Sequence, residues 1–310
     1  LVLRIFVAGG TGVIGRRVVP ALVSAGHRVS VASRSRDKDD WLVTQGASPV
    51  GVDLYNAQDV LRAVGQQDVV INLATHMPPT TTKMILPWSW KENDRVHQVV
   101  SANLAAAAQA GSADCFIQNS FAPIYEAAAN QWIDESWVVQ PARYNRSVID
   151  AERTTNKFTK HGGRGIVLRF AYFYGPDSFA TRDMVAMVKK GYSPLPGSPE
   201  AYISSVSHDD AAAAVIAAIH VPAGTYNVSD DEPLTRREWV DSLAKALGVK
   251  SPSVLPGWLV KIGGSMAELL SRSQRISSRK LRETSDWQPS TPSVRGAWPA
   301  LLQAMGAQDA

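Results

Sequence analysis

The chain alternates short, β-branched apolar runs with longer alanine-rich stretches of helical spacing. The runs are Leu3–Ala8, Val29–Ala32, Ser48–Val52, Val69–Leu73, Phe116–Gln118 and Ile166–Phe170. Helices are predicted between them at Val13–Ala25, Ala57–Val64, Trp90–Ala110 and Ala142–His161. Apolar runs this short, each followed by a helix, suit strands covered on both faces. The pattern therefore predicts an α/β fold with a doubly wound, Rossmann-type parallel sheet. Past Tyr174 the texture changes, with Pro and Gly gathered at Gly175-Pro176 and between Ser193 and Pro199. A strand (Tyr202–Ser205), a helix (Asp209–His220), a strand (Thr225–Val228) and a helix (Arg236–Leu247) precede a tail rich in Trp and Pro. We read residues 1–173 with 202–229 as the dinucleotide-binding body, and 174–201 with 230–310 as a smaller C-terminal substrate lobe.

Directly after the first run comes Gly9-Gly10-Thr11-Gly12-Val13-Ile14-Gly15, with glycines at 9, 12 and 15. In a strand–loop–helix unit the first permits a tight turn and the second lets backbone approach a pyrophosphate. The third allows close helix–sheet packing, while the helix N-terminus offers free N–H groups to the phosphates. The end of the second strand discriminates between nicotinamide cofactors. An acidic residue there would accept from the ribose hydroxyls, but the chain has Ser33-Arg34-Ser35-Arg36. Arg34 and Arg36, helped by Ser33, offer planar forks for a phosphate, so NADP(H) is expected over NAD(H). Asp53, after the third strand, is read either as a partner of the adenine amino group or as a helix cap.

With 45% apolar and 19% charged residues, the composition is that of an ordinary globular chain. The net charge of +4 is too diffuse to indicate nucleic acid. Arg272, Arg275, Arg279, Lys280 and Arg282 form one basic cluster, read either as a solvated helix face or as a phosphate contact. The lone cysteine, Cys115, lies in an apolar run and reads as a core thiol, consistent with a reducing cytoplasm. Leu1 to Val7 reads as a strand rather than a secretory leader, and no membrane span is expected. Six dispersed histidines give no ligand-spaced pair, so no metal is expected.

These residues resemble an extended or atypical short-chain dehydrogenase/reductase of the NAD-dependent epimerase/dehydratase family. The likeness includes the Gly9–Gly15 loop, Val70-Ile71-Asn72-Leu73-Ala74 and Phe116-Ile117-Gln118-Asn119-Ser120. It continues through Tyr144-Asn145-Arg146-Ser147, Leu168-Arg169-Phe170, Tyr174-Gly175-Pro176, Ser205 to Asp210, Tyr226-Asn227-Val228 and Trp287-Gln288-Pro289. The resemblance implies that Thr11, Val13, Ile14, Leu54, Leu73, Ala74, Thr75, Tyr144, Phe170 and Phe173 join the glycines, Arg34, Arg36 and Asp53 around the cofactor. It also implies a homodimer through the helices Trp90–Ala110 and Ala142–His161, and a lobe that closes substrate against the nicotinamide.

Tyr144 matches the family tyrosine that gives or takes a proton, but Val148 stands where a lysine is expected four residues later. Phe121 occupies the usual position of the catalytic hydroxyl, leaving Ser120 as the adjacent candidate. Asp94 and His97, one helical turn apart, are read as a recruited pair or as helix-surface hydrogen bonding. Asp209 and Asp210 are read as caps or structural contacts. An unperturbed tyrosine, with pKa about 10, is roughly a thousandth ionised at pH 7, so it donates a proton more readily than it accepts one. The leading expectation is an NADP(H)-dependent oxidoreductase acting on a carbonyl or imine of a small molecule. Two others stand beside it: an epimerase or dehydratase that retains NAD(P), and a non-catalytic NADP-binding sensor.

Overall fold

The computed structural model describes residues 1–78, 80–84, 86–253, 267, 269 and 271–308. Its centre is a seven-stranded sheet of β1 (Arg4–Ala8), β2 (Arg28–Ser33), β3 (Ser48–Gly51), β4 (Val69–Asn72), β5 (Cys115–Phe121), β6 (Arg164–Phe170) and β7 (Gly224–Val228). The spatial order is β7-β6-β5-β4-β1-β2-β3, and every neighbouring pair is parallel. The chain starts in the middle, runs to one edge and then returns to build the other half. The direction reverses between β1 and β4, whose carboxyl ends frame the crevice that binds ligands in open sheets of this kind.

Side-chain alternation explains the layers. Ile5 and Val7 of β1, Val69 and Ile71 of β4, and Cys115 and Ile117 of β5 face one core. Phe6, Ala8, Val70 and Phe116, the residues between them, face a second core on the other side. The helices α1 (Gly15–Ser24) and His208–Ala218 cover the first face. The helix Ala57–Val64 and the rod from Lys91 to Ala110 cover the second. Cys115 is fully buried, and burial pushes its thiol up to about 12, as a core thiol requires.

A third apolar cluster lies outside the sheet. Tyr174, Val185, Val188, Leu195 and Ile203 pack there with Leu234, Trp239, Leu243 and Trp298. Leu281 and Trp287 instead pack in the core of the sheet, so the tail crosses back onto the body within the stretch assigned to the lobe. Asp210 anchors that return: its carboxylate accepts from Ser290 N (2.6 Å), Thr291 N (3.2 Å) and Ser207 Oγ (2.7 Å). This makes it the structural contact expected from the sequence.

Two helices differ from the sequence expectation. The stretch read as Ala142–His161 is a short 3-10 turn, Arg143–Asn145, followed by a helix at Val148–Lys160. Tyr144 therefore sits on a turn before the helix. The stretch read as Trp90–Ala110 contains a π turn at Val96–Val100 between helical Lys91–Arg95 and Ser101–Ala110. Ser101 Oγ reaches Val96 O across this wider turn and also accepts from Asn72 Nδ2 (3.2 Å). The hydrophobic period predicts a helix but carries no signal for one extra residue in a turn.

A buried ion pair ties the second half of the sheet to its covering helix. Arg169 of β6 donates to Glu152 at 2.8 and 2.6 Å, and its remaining nitrogen reaches the Tyr125 hydroxyl at 2.8 Å. Tyr125 in turn donates to Asn227 Oδ1 of β7 (2.7 Å). Removing the carboxylate leaves a guanidinium uncompensated in a dry interior. Glu152→Ala is expected to destabilise the fold by about 3–5 kcal/mol, read as a lower midpoint in urea unfolding at unchanged slope.

Candidate active site

The glycine loop is built by crowding. A side chain at Gly9 (φ +80°) would meet the Leu73 carbonyl carbon at 2.6 Å and Ala74 N at 2.7 Å, both on the loop after β4. A side chain at Gly15 would strike Gly9 O and the Gly10 backbone, and one at Gly10 would meet Val31 at 2.5 Å. Gly12 N donates to Gly9 O at 3.0 Å, closing the turn from which α1 rises. Gly10 thus has a packing role that the spacing of Gly9, Gly12 and Gly15 does not reveal. Thr11, Val13 and Ile14 complete the loop at the helix entrance.

Asn72 fixes the opposite wall. Fully buried at the end of β4, it donates to Gln118 Oε1 (2.9 Å) and Ser101, and its oxygen accepts from Ala74 N (3.1 Å). This holds Leu73, Ala74 and the exposed Thr75 at the rim. A polar residue closing an apolar strand was the only sequence signal for it.

Beyond β2 and β3 lies a cleft of about 420 Å³ lined by Ser33, Arg34, Ser35, Arg36, Asp39, Gly51, Val52 and Asp53. Arg34 and Arg36 are exposed and make no ion pair among the described residues. Asp53 is not the helix cap. Its Oδ1 accepts from Tyr55 N (3.0 Å), while Asn56 caps Ala57–Val64. Leu54 turns inward, packs on the second core and offers its carbonyl to Asn103. On the far side Phe170 is buried, and Phe173, 40% exposed, stacks on it with ring centres 5.3 Å apart.

Tyr144 is partly buried, with its ring 4.7 Å from that of Trp90. Burial, reinforced by the nearby Tyr172 phenol and only partly opposed by Arg272, holds its hydroxyl well above the usual tyrosine range. Val148 is buried and brings no charge to the turn. Tyr144 is therefore a neutral phenol.

The other catalytic candidates are held in hydrogen-bond networks. Ser120 lies within β5, which runs on to Phe121, and its hydroxyl donates to Glu152 Oε1 at 2.6 Å. It takes part in the buried ion-pair network. Asp94 and His97 do not bond each other directly; both hold Ser147. Ser147 Oγ donates to Asp94 Oδ1 (2.6 Å) and meets His97 Nδ1 at 2.9 Å. Burial pushes His97 down to about 4, so its imidazole is neutral. Asp94 and His97 brace the rod against the segment that follows Tyr144. The basic cluster is also committed elsewhere: Arg272 donates to Tyr125 O, Arg275 to Asn130 O and Lys280 to Thr225 O. Arg279 pairs with Glu283 and Arg282 with Asp231. These residues stand on separate partners, with Arg279, Lys280 and Arg282 sharing the helix Arg279–Thr284. Among the described residues, no group of three potential metal ligands occurs and no helix is long and apolar enough to cross a membrane.

A parallel sheet with this strand order and a crowded glycine loop at the switch point define a Rossmann-type dinucleotide-binding fold. The chain belongs to the NAD dependent epimerase/dehydratase family, whose model matches residues 5–229. It is 30% identical over 315 residues to a 3-diazoavenalumate denitrifying reductase of Streptomyces, covering 94% of this chain and 98% of that one. It is 23% identical to a 2-alkyl-3-oxoalkanoate reductase of Shewanella oneidensis, over 79% of this chain and 66% of the relative. The fold matches the UDP-glucose 4-epimerase of Thermus thermophilus in complex with NAD, with TM-score 0.76, 23% identity and coverage of 98% of this chain and 100% of the other.

The loop itself gives a direct test. Gly9→Ala forces a side chain into backbone at positive φ, a strain of about 1–3 kcal/mol. Thermal unfolding should shift down accordingly, whereas Gly26→Ala, also at positive φ but with open space around it, should shift less.

Proposed function

We propose that the protein is an NADP(H)-dependent reductase of atypical short-chain type, acting on a carbonyl or imine carbon of a small molecule. The observation that carries this reading is Tyr144, a phenol kept neutral by burial with no lysine one turn away. The glycine loop, bare of side chains where backbone meets backbone, fits a pyrophosphate. Arg34 and Arg36, exposed in the cleft beyond β2, fit the extra phosphate of NADP(H). Asp53, with one carboxylate oxygen outside its turn, fits the adenine amino group. Leu73, Ala74, Thr75, Phe170 and Phe173 fit the walls of the crevice between them.

When bound, the nicotinamide supplies a hydride. Tyr144 supplies the proton: as the carbon of the double bond is reduced, its π pair moves onto oxygen or nitrogen and takes the phenolic hydrogen. An epimerase would need the same residue to remove a proton in one half-cycle, which a phenol held this neutral does poorly. The similarity to two reductases supports the same direction. The apolar cluster of Tyr174, Val185, Trp239 and Trp298 anchors the lobe that would cover the substrate, while Leu281 and Trp287 return to the body. Val99, Ala102 and Ala106 stand exposed at helical spacing on the rod, which supports a homodimer through that face.

Three measurements follow. Arg34→Ala should weaken NADPH binding about tenfold to a hundredfold, the worth of a hydrogen bond to a charged group, and leave NADH binding unchanged. Equal loss for both cofactors would remove the phosphate role. Tyr144→Phe should lower the reductive kcat about a hundredfold or more while cofactor affinity holds. Because the Tyr144 pKa is raised, its donor form survives as pH rises, so the wild-type reductive rate should not fall between pH 7 and about 9.5. A tyrosine-dependent fall with a midpoint below pH 9 would contradict the neutral-phenol mechanism.

A further inference from the structure

The two walls of the crevice are strapped together by side chains from three distant parts of the chain. The glycine loop follows β1 and Phe173 follows β6. With β4 and β5 between them these strands stand three spacings apart, about 14 Å. Arg17, on the first turn of α1, donates from Nη1 both to Val13 O of the loop (2.9 Å) and to Asp177 Oδ2 (2.8 Å). Its Nη2 reaches Asp177 Oδ1 at 3.3 Å, which makes the pair bidentate. His208 Nδ1 lies 2.8 Å from the same Oδ1, and the His208 ring meets that of Phe173 edge-on at 6.0 Å. Loop, arginine, carboxylate, imidazole and phenyl ring form one continuous path.

Each link suits that path. The hydrogen bond from His208 and the pair with Arg17 hold the Asp177 carboxyl well below its usual range, so it is a carboxylate. A carboxylate only accepts, so His208 Nδ1 carries the proton. His208 is 3% exposed, and it reaches Asp177 because residue 175 is glycine: a Cβ there would strike the imidazole. The Arg17 and Asp177 side chains are 23% and 33% exposed, so water screens their pair only in part. Asp209 also accepts from Arg17, but it is 77% exposed and stands beside the path rather than on it. Asp177 is followed by Ser178, which caps the helix Phe179–Lys189 of the third apolar cluster. The strap therefore ties that helix to the glycine loop as well.

We propose that Arg17, Asp177 and His208 are positioning residues that hold Phe173 at a fixed reach from the glycine loop, so that a cofactor seated on the loop finds a ready wall for its nicotinamide ring. This rests on the dinucleotide part of the reading above, and neither on Tyr144 nor on the direction of hydride transfer. The three residues act through Phe173 and through the shape of the crevice. The glycine loop keeps its form by its own backbone contacts with Leu73 and Ala74, so cutting the strap leaves the phosphate half of the site intact. What is lost is the order of Phe173, which must then be regained on binding and weakens the hold on the ring alone.

The test is calorimetry with two probes that differ by the nicotinamide ring, NADP+ and 2′-phospho-ADP-ribose. NAD+ and ADP-ribose form a second pair, so the comparison holds whichever cofactor the chain prefers. Asp177→Ala cuts the strap at its centre; it should weaken NADP+ about tenfold and leave 2′-phospho-ADP-ribose unchanged. Asp177→Asn, which keeps an acceptor for His208, should recover part of the loss. Asp209→Ala takes a carboxylate from Arg17 without cutting the path and should change neither probe. If Asp177→Ala does not fold, His208→Phe keeps a ring against Phe173, removes the bond to Asp177, and should again weaken NADP+ alone. Equal loss for both probes, no loss for either, or an Asp209→Ala protein that behaves like Asp177→Ala overturns the strap. Carbonyl reduction, followed separately, keeps the two readings apart. Selective loss of NADP+ in a protein that reduces no carbonyl upholds the strap and removes the reductase reading, whereas a reductase whose Asp177→Ala variant loses both probes equally does the reverse. A wild type that binds neither pair overturns both.

Discussion

Backbone pressed against backbone at the switch point is the constraint on which the rest of this structure depends. Gly9 lies on the Leu73 carbonyl and Gly15 lies on Gly9, so β1, the loop after β4 and the start of α1 meet with no side chain between them. That contact sets where the helix N-terminus points and how wide the crevice is. Asn72, fully buried, holds the same crevice from the other side through three hydrogen bonds. A glycine loop of this kind offers a dinucleotide backbone rather than side chains.

The second half of the sheet is held differently. Where the glycine loop works by close approach, β5, β6 and β7 are joined by charge: Glu152, Arg169, Tyr125, Asn227 and Ser120 form one continuous buried network. Every charge in it has a partner, which is what makes an ionic core tolerable at low dielectric. The network also fixes the directions in which neighbouring residues emerge. Ser120 faces Glu152, while Phe121, the next residue on the strand, meets Tyr172. Neighbouring residues on a strand face opposite sides, so the hydroxyl meets the buried network and the ring does not.

The chain combines a glycine-loop cofactor cradle of the family kind with an unusual tyrosine environment. The phenol of Tyr144 stands without a lysine, against Trp90 and near Tyr172, in surroundings that keep it protonated. Such a group stays in its protonated form as pH rises, so the basic form that proton removal would require is scarce.

Much of this was legible in the sequence. Alternation of apolar runs and helical stretches determined the parallel sheet, and the glycine spacing after the first run determined the crevice, because both are local patterns with one physical reading. Arg34 and Arg36 at the end of β2 were visible for the same reason. What the sequence could not determine was which side chains face one another. Ser120 and Asp94 were credible catalytic groups by position, yet one is bound by Glu152, thirty-two residues away, and the other by Ser147, fifty-three residues away. The basic cluster looked like a single surface and turned out to be five separate attachments. Tyr172, which opens the short strand Tyr172–Tyr174, meets Phe121 of β5 only through the fold. Sequence fixes periodicity and backbone freedom, which act over a few residues; hydrogen-bond partnership and the surroundings of a titrating group depend on distance in space, and only the tertiary structure sets that.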